Sequence, residues 1–376
     1  MTSRAAPTAL EAEIRALIAA EGPMPVSRYM ALCLGHPVHG YYITRDPLGA
    51  EGDFTTAPEI SQMFGELLGL WAVATWQQMG SPERVYLVEL GPGRGTLMAD
   101  ALRAARLVPA FGEAVQVHLV ETSPALRARQ KAALAPLTPH WYDHLEEVPP
   151  GPAIVLANEF FDALPISQFV KGEGGWHERR VGLGPDGALV FGMDPRPTPH
   201  AAALARHVPG PHPVGAVLEH LESGIPALLA RRIAEEGGAA LIIDYGPARS
   251  GLGDSLQAVR AHRYADPLEA PGEADLTAHV DFSDLARRAL AEGVAAYGPL
   301  TQGDFLMRLG IVQRAERLQQ NTNASQRKAI TAALARLAGR GEGEMGALFK
   351  VLCLCDRTNG PPPGFAPEEA VAEPDA

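Results

Sequence analysis

VYLVELGPGRG, residues 85–95, runs directly into TLMADALRAAR, residues 96–106. A short apolar run rich in β-formers marks a buried parallel strand. This one closes on an acid, Glu89, and on three glycines, Gly91, Gly93 and Gly95. Apolar residues then recur at helical spacing. Glycine lets the backbone turn tightly and approach a ligand, and the free N–H groups at a helix start favour anionic ligand groups. The stretch reads as a nucleotide-type ligand loop at the end of a strand in an α/β sheet.

The flanking sequence repeats the pattern. VHLVE (117–121) again closes on an acid, and Ser123-Pro124 supplies an N-cap and a first-position proline for the helix that follows. AIVLANEFFDALP (153–165) ends its apolar run at Asn158, Glu159 and Asp162, GGAALIIDYG (237–246) ends at Asp244, and LFKVLCLC (348–355) is the last strand. Apolar strands alternating with helices predict an α/β fold, a mostly parallel sheet with helices on both faces.

Elsewhere the pattern predicts helices over 9–22 and Val26–Leu34, a helix starting near Pro58, β-hairpins within 166–215, and a helix near 216–235. A loop-rich stretch over 246–282, a helix over 283–292, an extended stretch near 294–300 and a helical segment from Gly303 to Leu337 follow. The tail from Gly360 reads as disordered at its end. The expected organisation is an N-terminal helical lid region (1–80), the first half of a ligand-binding core (81–165) and a β-hairpin and helix insertion (166–238). The second half of the core (239–302), a helical insertion (303–345), the last core strand (346–358) and the tail (359–376) complete it.

Composition narrows the partners. The 376 residues carry a formal net charge of −12. That argues against nucleic acid, whose phosphates need a basic surface; an acidic surface would suit a cationic substrate such as a Lys- or Arg-bearing protein, and serves solubility equally well. Cys33, Cys353 and Cys355 are too few for a disulfide framework and lack a metal-ligand spacing, so no metal is expected and core packing is their predicted role. No apolar run is long enough to span a bilayer. The N-terminal residues lack a signal design, and a cytoplasmic protein is expected.

The glycine spacing discriminates between ligands. A dinucleotide fingerprint, G-x-G-x-x-G, would place its third glycine at position 96, which is Thr96. The pattern present is E-x-G-x-G-x-G, the form associated with class I methyltransferases, which bind S-adenosylmethionine. That donor has no phosphate. It has an ammonium that an acid such as Glu89 can meet, and ribose hydroxyls that suit Glu121. Glu121 lies 121 − 91 = 30 residues past the first glycine, beyond the ~20 of the dinucleotide fold, and the insert LVPAFGEAV (107–115) accounts for the excess.

GDFTTAPEISQMFGE (52–66), ELGPGRG, ANEFFDALP, LIIDYG, DLTAHVDF (275–282) and EMGALFKV (344–351) together resemble the MidA-type protein arginine methyltransferases, from about residue 9 to residue 365. These include the mitochondrial complex I assembly-factor methyltransferase and its bacterial relatives. The resemblance implies a Rossmann-like class I methyltransferase sheet of seven strands, with the lid and insertions as family-specific additions. It also implies that Glu89, Gly91, Pro92, Gly93, Arg94 and Gly95 surround the donor's amino-acid end and that Glu121 holds the ribose. Tyr142–His144, Asp143 included, would border the adenine. Asn158, Glu159 and Asp162 would close the site beside the methyl group, and Thr56, Pro58 and Glu59 would belong to the lid, with Asp53 and Thr55 in the same polar cluster. The acidic two-glutamate hairpin of other arginine methyltransferases has no clear copy here.

An arginine substrate is a cation with a pKa above ~12, so carboxylates must grip it, aim one nitrogen at the methyl and take the proton. Glu159 and Asp162 are the leading pair, with Asp275, Asp281 and His279 next. Each has a structural alternative: Asp162 as a helix-start cap, Asp275 and Asp281 as caps, His279 as a satisfied structural histidine, and Arg94 as an ion-pair partner for an acid. The expected activity is protein arginine methylation, on a complex I subunit by the resemblance, with a homodimer as the assembly. The rivals are a small-molecule methyltransferase, a donor-binding assembly chaperone and, weakest because of Thr96, a nicotinamide dehydrogenase.

Overall fold

The computed structural model describes residues 7–44, 55–320 and 322–372, and Asp53 lies outside the described residues. The chain forms two units, one of Met1–Phe54, Asp162–Ser223 and Arg249–Val280, the other of Thr55–Phe161, Gly224–Ala248 and Asp281–Ala376.

The second unit is built on a sheet of seven strands: β1 (Val85–Leu90), β2 (Val115–Val120), β3 (His140–Tyr142), β4 (Ala153–Asn158), β5 (Gly238–Tyr245), β6 (Ala295–Thr301) and β7 (Phe349–Cys355). Across the sheet they lie in the order β6-β7-β5-β4-β1-β2-β3. Strands β1 to β5 pair in parallel, whereas β7 runs antiparallel to both β5 and β6. The order reverses beside β1. From there the chain builds outward through β2 and β3 on one side and through β4 and β5 on the other. In open α/β sheets ligands bind at the carboxyl ends of the strands at such a switch point.

Alternate residues of the strands face one apolar cluster. Leu87, Leu119, Ile154, Leu156, Leu241, Ile243, Val351 and Cys353 pack with Phe64, Trp71, Leu97, Met98 and Phe305. Cys353 and Cys355 are buried free thiols in this core, the role their i, i+2 spacing suggested. Helix Gln62–Gln78 lies against helix Thr96–Ala105 with almost no side chain between them. A Cβ on Gly65 would stand 2.6 Å from Cβ of Asp100, and one on Gly69 would collide with the backbone of Ala101. Gly65 and Gly69, four apart on one helical face, thus set the depth of the helix that carries the glycine loop.

Local sequence reasoning erred in several places. The stretch expected as a helix near 216–235 is a strand, Val217–Leu221, followed by a helix, Ile225–Glu236. VLEHL pairs with Ile166–Gly172, and Pro226 sits in the first helical turn, where its missing N–H costs nothing. The helix near Pro58 is two pieces, Ala57–Ile60 and Gln62–Gln78. They are split at Ser61, whose extended backbone and hydroxyl cap the second piece. The helical segment expected from Gly303 to Leu337 is present, built of three helices: Gln302–Arg308, Ile311–Gln319 and Ala324–Ala338. Breaks fall at Gly310, in the left-handed region (φ 89°), and at Asn323, the N-cap of the third. The tail is tied as far as it is described. Arg308 grips Glu369 through both guanidinium nitrogens at 2.7 Å, and Val371 donates its N–H to Ala296.

In the first unit, helices Ala9–Glu21 and Val26–Gly35 bury Leu10, Ile14, Ile18, Tyr29, Met30 and Cys33 against Ile166, Val181, Leu189 and Leu276. The residues expected as hairpins, Ile166–Gly172, Gly175–Leu183 and Leu189–Met193, form one sheet together with Val217–Leu221 and Met24–Pro25. The stretch read as loops over 246–282 contains a three-stranded sheet of Gln257–Arg260, Arg263–Ala265 and Asp275–Thr277.

Candidate functional site

The sheet register aligns Glu89 and Leu90 of β1, Glu121 just beyond β2, Asn158 of β4 and Asp244 of β5 along the carboxyl edge, since Leu90 pairs with Val120 and Ala157 and Asn158 with Ile243. The turn out of β1 needs its glycines. Gly91 has φ 61°, and a Cβ there would stand 2.9 Å from the Phe160 ring. Gly95 has φ 83°, caps helix Thr96–Ala105 from the left-handed region, and would bring a Cβ to 3.2 Å from Cα of Gln130. Pro92 accepts the Gly95 N–H at 2.8 Å, which closes the turn.

Glu89 is 3% exposed, and its Oε2 is a buried acceptor with no hydrogen-bond partner among the described residues. Burial, and then the neighbouring Glu121, push its carboxyl well above the usual carboxylate range. Oδ1 of Asn158 is a second buried acceptor without such a partner. A dry acceptor costs about 1–3 kcal/mol. This edge therefore presents two buried acceptors that a ligand carrying hydrogen-bond donors would satisfy.

Glu121 accepts from the Ser123 N–H at 2.8 Å and from Gln130 Nε2 at 3.1 Å. Its carboxyl is pushed up by burial, against the pull of those two bonds. Gln130 was missed by the sequence reading. It is fully buried, its amide nitrogen also donates to Gly93 O at 2.8 Å, and its amide oxygen accepts from Trp141 Nε1 at 2.8 Å. It binds the glycine loop, Glu121 and β3 together. The available signal was a lone amide on the apolar face of ALRARQKAALA.

Glu59 clasps the loop from the other side, accepting from the Thr96 hydroxyl at 2.5 Å and lying 3.9 Å from an Arg94 nitrogen. Arg94 therefore has the acid partner that was its structural alternative. Thr56 precedes the helical turn Ala57–Ile60, which Pro58 opens. Glu159 sits just past β4 with φ 50°, a left-handed conformation uncommon for a non-glycine residue. Its Oε1 accepts from the Ala57 N–H at 3.0 Å and from Asn158 Nδ2 at 3.1 Å, and its own N–H donates to Ile243 O. Asp143 is exposed and ion-paired to Arg127 at 2.7 Å. Asp281 caps helix Phe282–Leu290, accepting the Asp284 N–H at 2.9 Å. Asp244, fully buried, accepts the Phe161 N–H at 3.0 Å.

The remaining predicted residues belong to the first unit, so the chain passes from one unit to the other between Glu159 and Asp162. Asp162 is 7% exposed and its carbonyl accepts the Ala278 N–H. Asp275 lies on a strand rather than at a helix start, and its carboxylate accepts from the Tyr42 hydroxyl at 2.9 Å. Burial, then the charges of Asp275 and Asp162, hold the Tyr42 phenol well above its ordinary range. Two buried acids and a phenol are thus neighbours, and sequence reasoning gave no hint of Tyr42. His279 is exposed, and its N–H donates to Ser255 Oγ at 2.9 Å.

A mostly parallel sheet with a glycine loop at its switch point, and buried unsatisfied acceptors on the two strands β1 and β4 beside it, defines a Rossmann-like protein of the class I methyltransferase type. Comparison with known proteins makes this specific. The family model described as "Putative S-adenosyl-L-methionine-dependent methyltransferase" matches residues 67–300, and the chain belongs to that family. It is 42% identical over 339 residues to the zebrafish (Danio rerio) protein arginine methyltransferase NDUFAF7, mitochondrial, covering 82% of this chain and 78% of that one. It is 39% identical over 337 residues to the human protein of the same name, covering 81% and 74%. A crystal structure of a Burkholderia thailandensis COG1565 superfamily member bound to S-adenosyl-homocysteine superposes with a TM-score of 0.79 at 29% identity, covering 94% of this chain and 95% of that one. The chain is a methyltransferase whose methyl donor is S-adenosylmethionine.

Proposed function

We propose that the chain methylates an arginine side chain of a protein, and that this protein is a subunit of a respiratory complex I-type assembly. The observation that carries the reading is the relatedness to proteins named protein arginine methyltransferase, at 39–42% identity over about four fifths of the chain. The complex I target rests on the resemblance of the long sequence phrases alone.

The donor supplies an electrophilic methyl on a sulfonium. In our assignment Glu89 and Asn158 accept hydrogen bonds from its amino-acid end, Glu121 from its ribose, and the Gly91–Gly95 turn gives it room. Arg94, beside Glu59, shapes the loop rather than contacting substrate. Glu159 grips the guanidinium and takes the proton released on transfer. Its positive φ and the two donors on Oε1 fix its direction before substrate arrives. Asp162, Asp275 and Tyr42 form the next group to test, ahead of His279 and Asp281. The buried free thiols fit a reducing compartment, such as the cytoplasm or, as named for the animal relatives, the mitochondrion. A homodimer is the assembly we expect, and sedimentation at micromolar concentration should return twice the 39.9 kDa chain mass.

The decisive experiment incubates the purified chain with methyl-labelled donor and arginine-containing peptides of complex I subunits, and reads the products by tandem mass spectrometry. Label on an arginine nitrogen, absent from the Arg→Lys peptide, is the expected result. Label that appears only on small metabolites in a cell extract would overturn the substrate class.

A further inference from the structure

We infer that His200, His220 and Glu222 of the first unit form a binding site for a divalent transition metal ion, with Zn²⁺ as the best match. One ligand atom from each side chain lies within 4.8 Å of the other two. Ligands bound to zinc at about 2.0–2.2 Å in a tetrahedron stand roughly 3.3–3.6 Å apart, so small rotations of the exposed His200 and Glu222 side chains toward the half-buried His220 close the set around one ion. None of the three belongs to the methyl-donor residues, and methyl transfer itself requires no metal.

The local fold assembles the trio. Strand Val217–Leu221 carries His220, and the ladder extends one residue further because the Glu222 N–H donates to Pro165 O at 2.9 Å. Residues two apart on extended backbone point to the same face, so His220 and Glu222 project together. His200 comes from the first turn of helix Pro199–Leu204. Its ring stands edge-on to that of His220 at 5.7 Å and edge-on to that of Phe169 at 6.1 Å. Phe169 is 3% exposed, so the imidazole leans on a fixed wall.

Chemistry selects the ion. Two imidazoles with one carboxylate suit zinc and its borderline neighbours, whereas magnesium and calcium take oxygen ligands. Three protein ligands leave a fourth position open. His200 and Glu222 line a cavity of about 420 Å³ together with Arg180, Asp194 and Arg196, which gives room for a water or a small anion there. The bound ion would tie helix Pro199–Leu204 to the strand. The set is hidden in the sequence because His200 and His220 are 20 residues apart (220 − 200), and His220 and Glu222 fall in VLEHLES (217–223), which has no zinc-site spacing.

The test uses the full chain, stripped with a chelator and titrated with Zn²⁺ by calorimetry, with Co²⁺ absorption as a report on geometry. We expect one site per chain, intense tetrahedral Co²⁺ bands, and no saturable heat with Mg²⁺ or Ca²⁺. His220→Ala and Glu222→Gln should each weaken Zn²⁺ binding more than about tenfold, and His200→Ala should do the same. A thermal shift with S-adenosylhomocysteine, retained in every variant, shows that each is folded. Zinc uptake by folded variants equal to that of the parent chain, or no stoichiometric uptake by the parent, would overturn the site.

Discussion

Glu89 meets two opposed demands, and their opposition can be measured. In the free protein burial, and then the neighbouring Glu121, push its carboxyl well above the ordinary carboxylate value of 4.5. As pH rises past that value the unfolded chain releases its proton first, so stability falls until the pH passes the folded pKa. A donor ammonium facing Glu89 reverses the sign for binding, because it favours the ionised carboxylate. Thermal unfolding from pH 5 to 8 should therefore show a melting temperature that declines with pH for the free chain and a donor-induced shift that grows with pH. Glu89→Gln should flatten both slopes and weaken donor binding about ten- to a hundredfold, the worth of one charge-assisted hydrogen bond. Glu159 separates differently. Glu159→Gln keeps an acceptor for the Ala57 N–H but loses the charge and the proton acceptor. Its kcat on an arginine peptide should fall about 10²–10⁴-fold while the donor Kd, read by calorimetry, moves only a few-fold. Both acids were legible in the sequence, because a carboxylate closing an apolar run is conspicuous. Gln130 and Tyr42 were not. Each has a side chain whose partners, Gly93, Glu121 and Trp141 for one and Asp275 for the other, are distant in the chain.

The loop and helix we assign to the donor behave as one element because backbone conformation, rather than side-chain contact, defines their shape. Gly95→Ala places a Cβ on a residue at φ 83°, where it meets Cα of Gln130 at 3.2 Å. The conformational cost alone is about 1–2 kcal/mol, and Gln130 holds the loop, Glu121 and Trp141 together. The expected outcome is a melting temperature several degrees lower and a donor Kd at least tenfold higher by calorimetry. A variant that binds the donor as tightly as the parent would remove the turn from the donor site. Strands β1, β2, β4, β5 and β7 were readable because each carries a short, predominantly apolar run rich in β-formers. VLEHL was not, since five residues of mixed polarity between two breakers fit a helix end equally well until Ile166–Gly172 is there to pair with it. The same limit hid the splits at Ser61 and Gly310. Helical periodicity runs on through both, and only a cap or a left-handed residue interrupts the hydrogen bonding.

At the scale of the molecule the sequence ran out where long-range assembly began. The parallel order of the second unit follows from alternating strands and helices. The first unit joins three separate stretches, and no periodicity announces that Ala9–Glu21 will pack with Ile166 and Leu276. It is also where Asp162, Asp275 and His279, grouped by sequence with Glu159, fall. A property that belongs to no single segment is the net charge of −12. Formal charge of one sign concentrates counter-charged ligands around a protein, and salt screens it with a Debye length of about 10 Å at 0.1 M and about 3 Å at 1 M. A peptide substrate bearing arginine is cationic, so its association should weaken as salt rises. The donor's proposed partners, Glu89 and Asn158, are buried or half-buried, and screening reaches them far less. Steady-state kinetics at 50 and 500 mM NaCl should show kcat/KM for an arginine peptide falling several-fold at the higher salt, with the KM for donor nearly constant. Neutralising the peptide's flanking basic residues should remove most of the difference. If instead the donor KM carries the salt dependence and the peptide KM does not, the acidic surface serves solubility alone, and recognition of the substrate protein rests on short-range contacts.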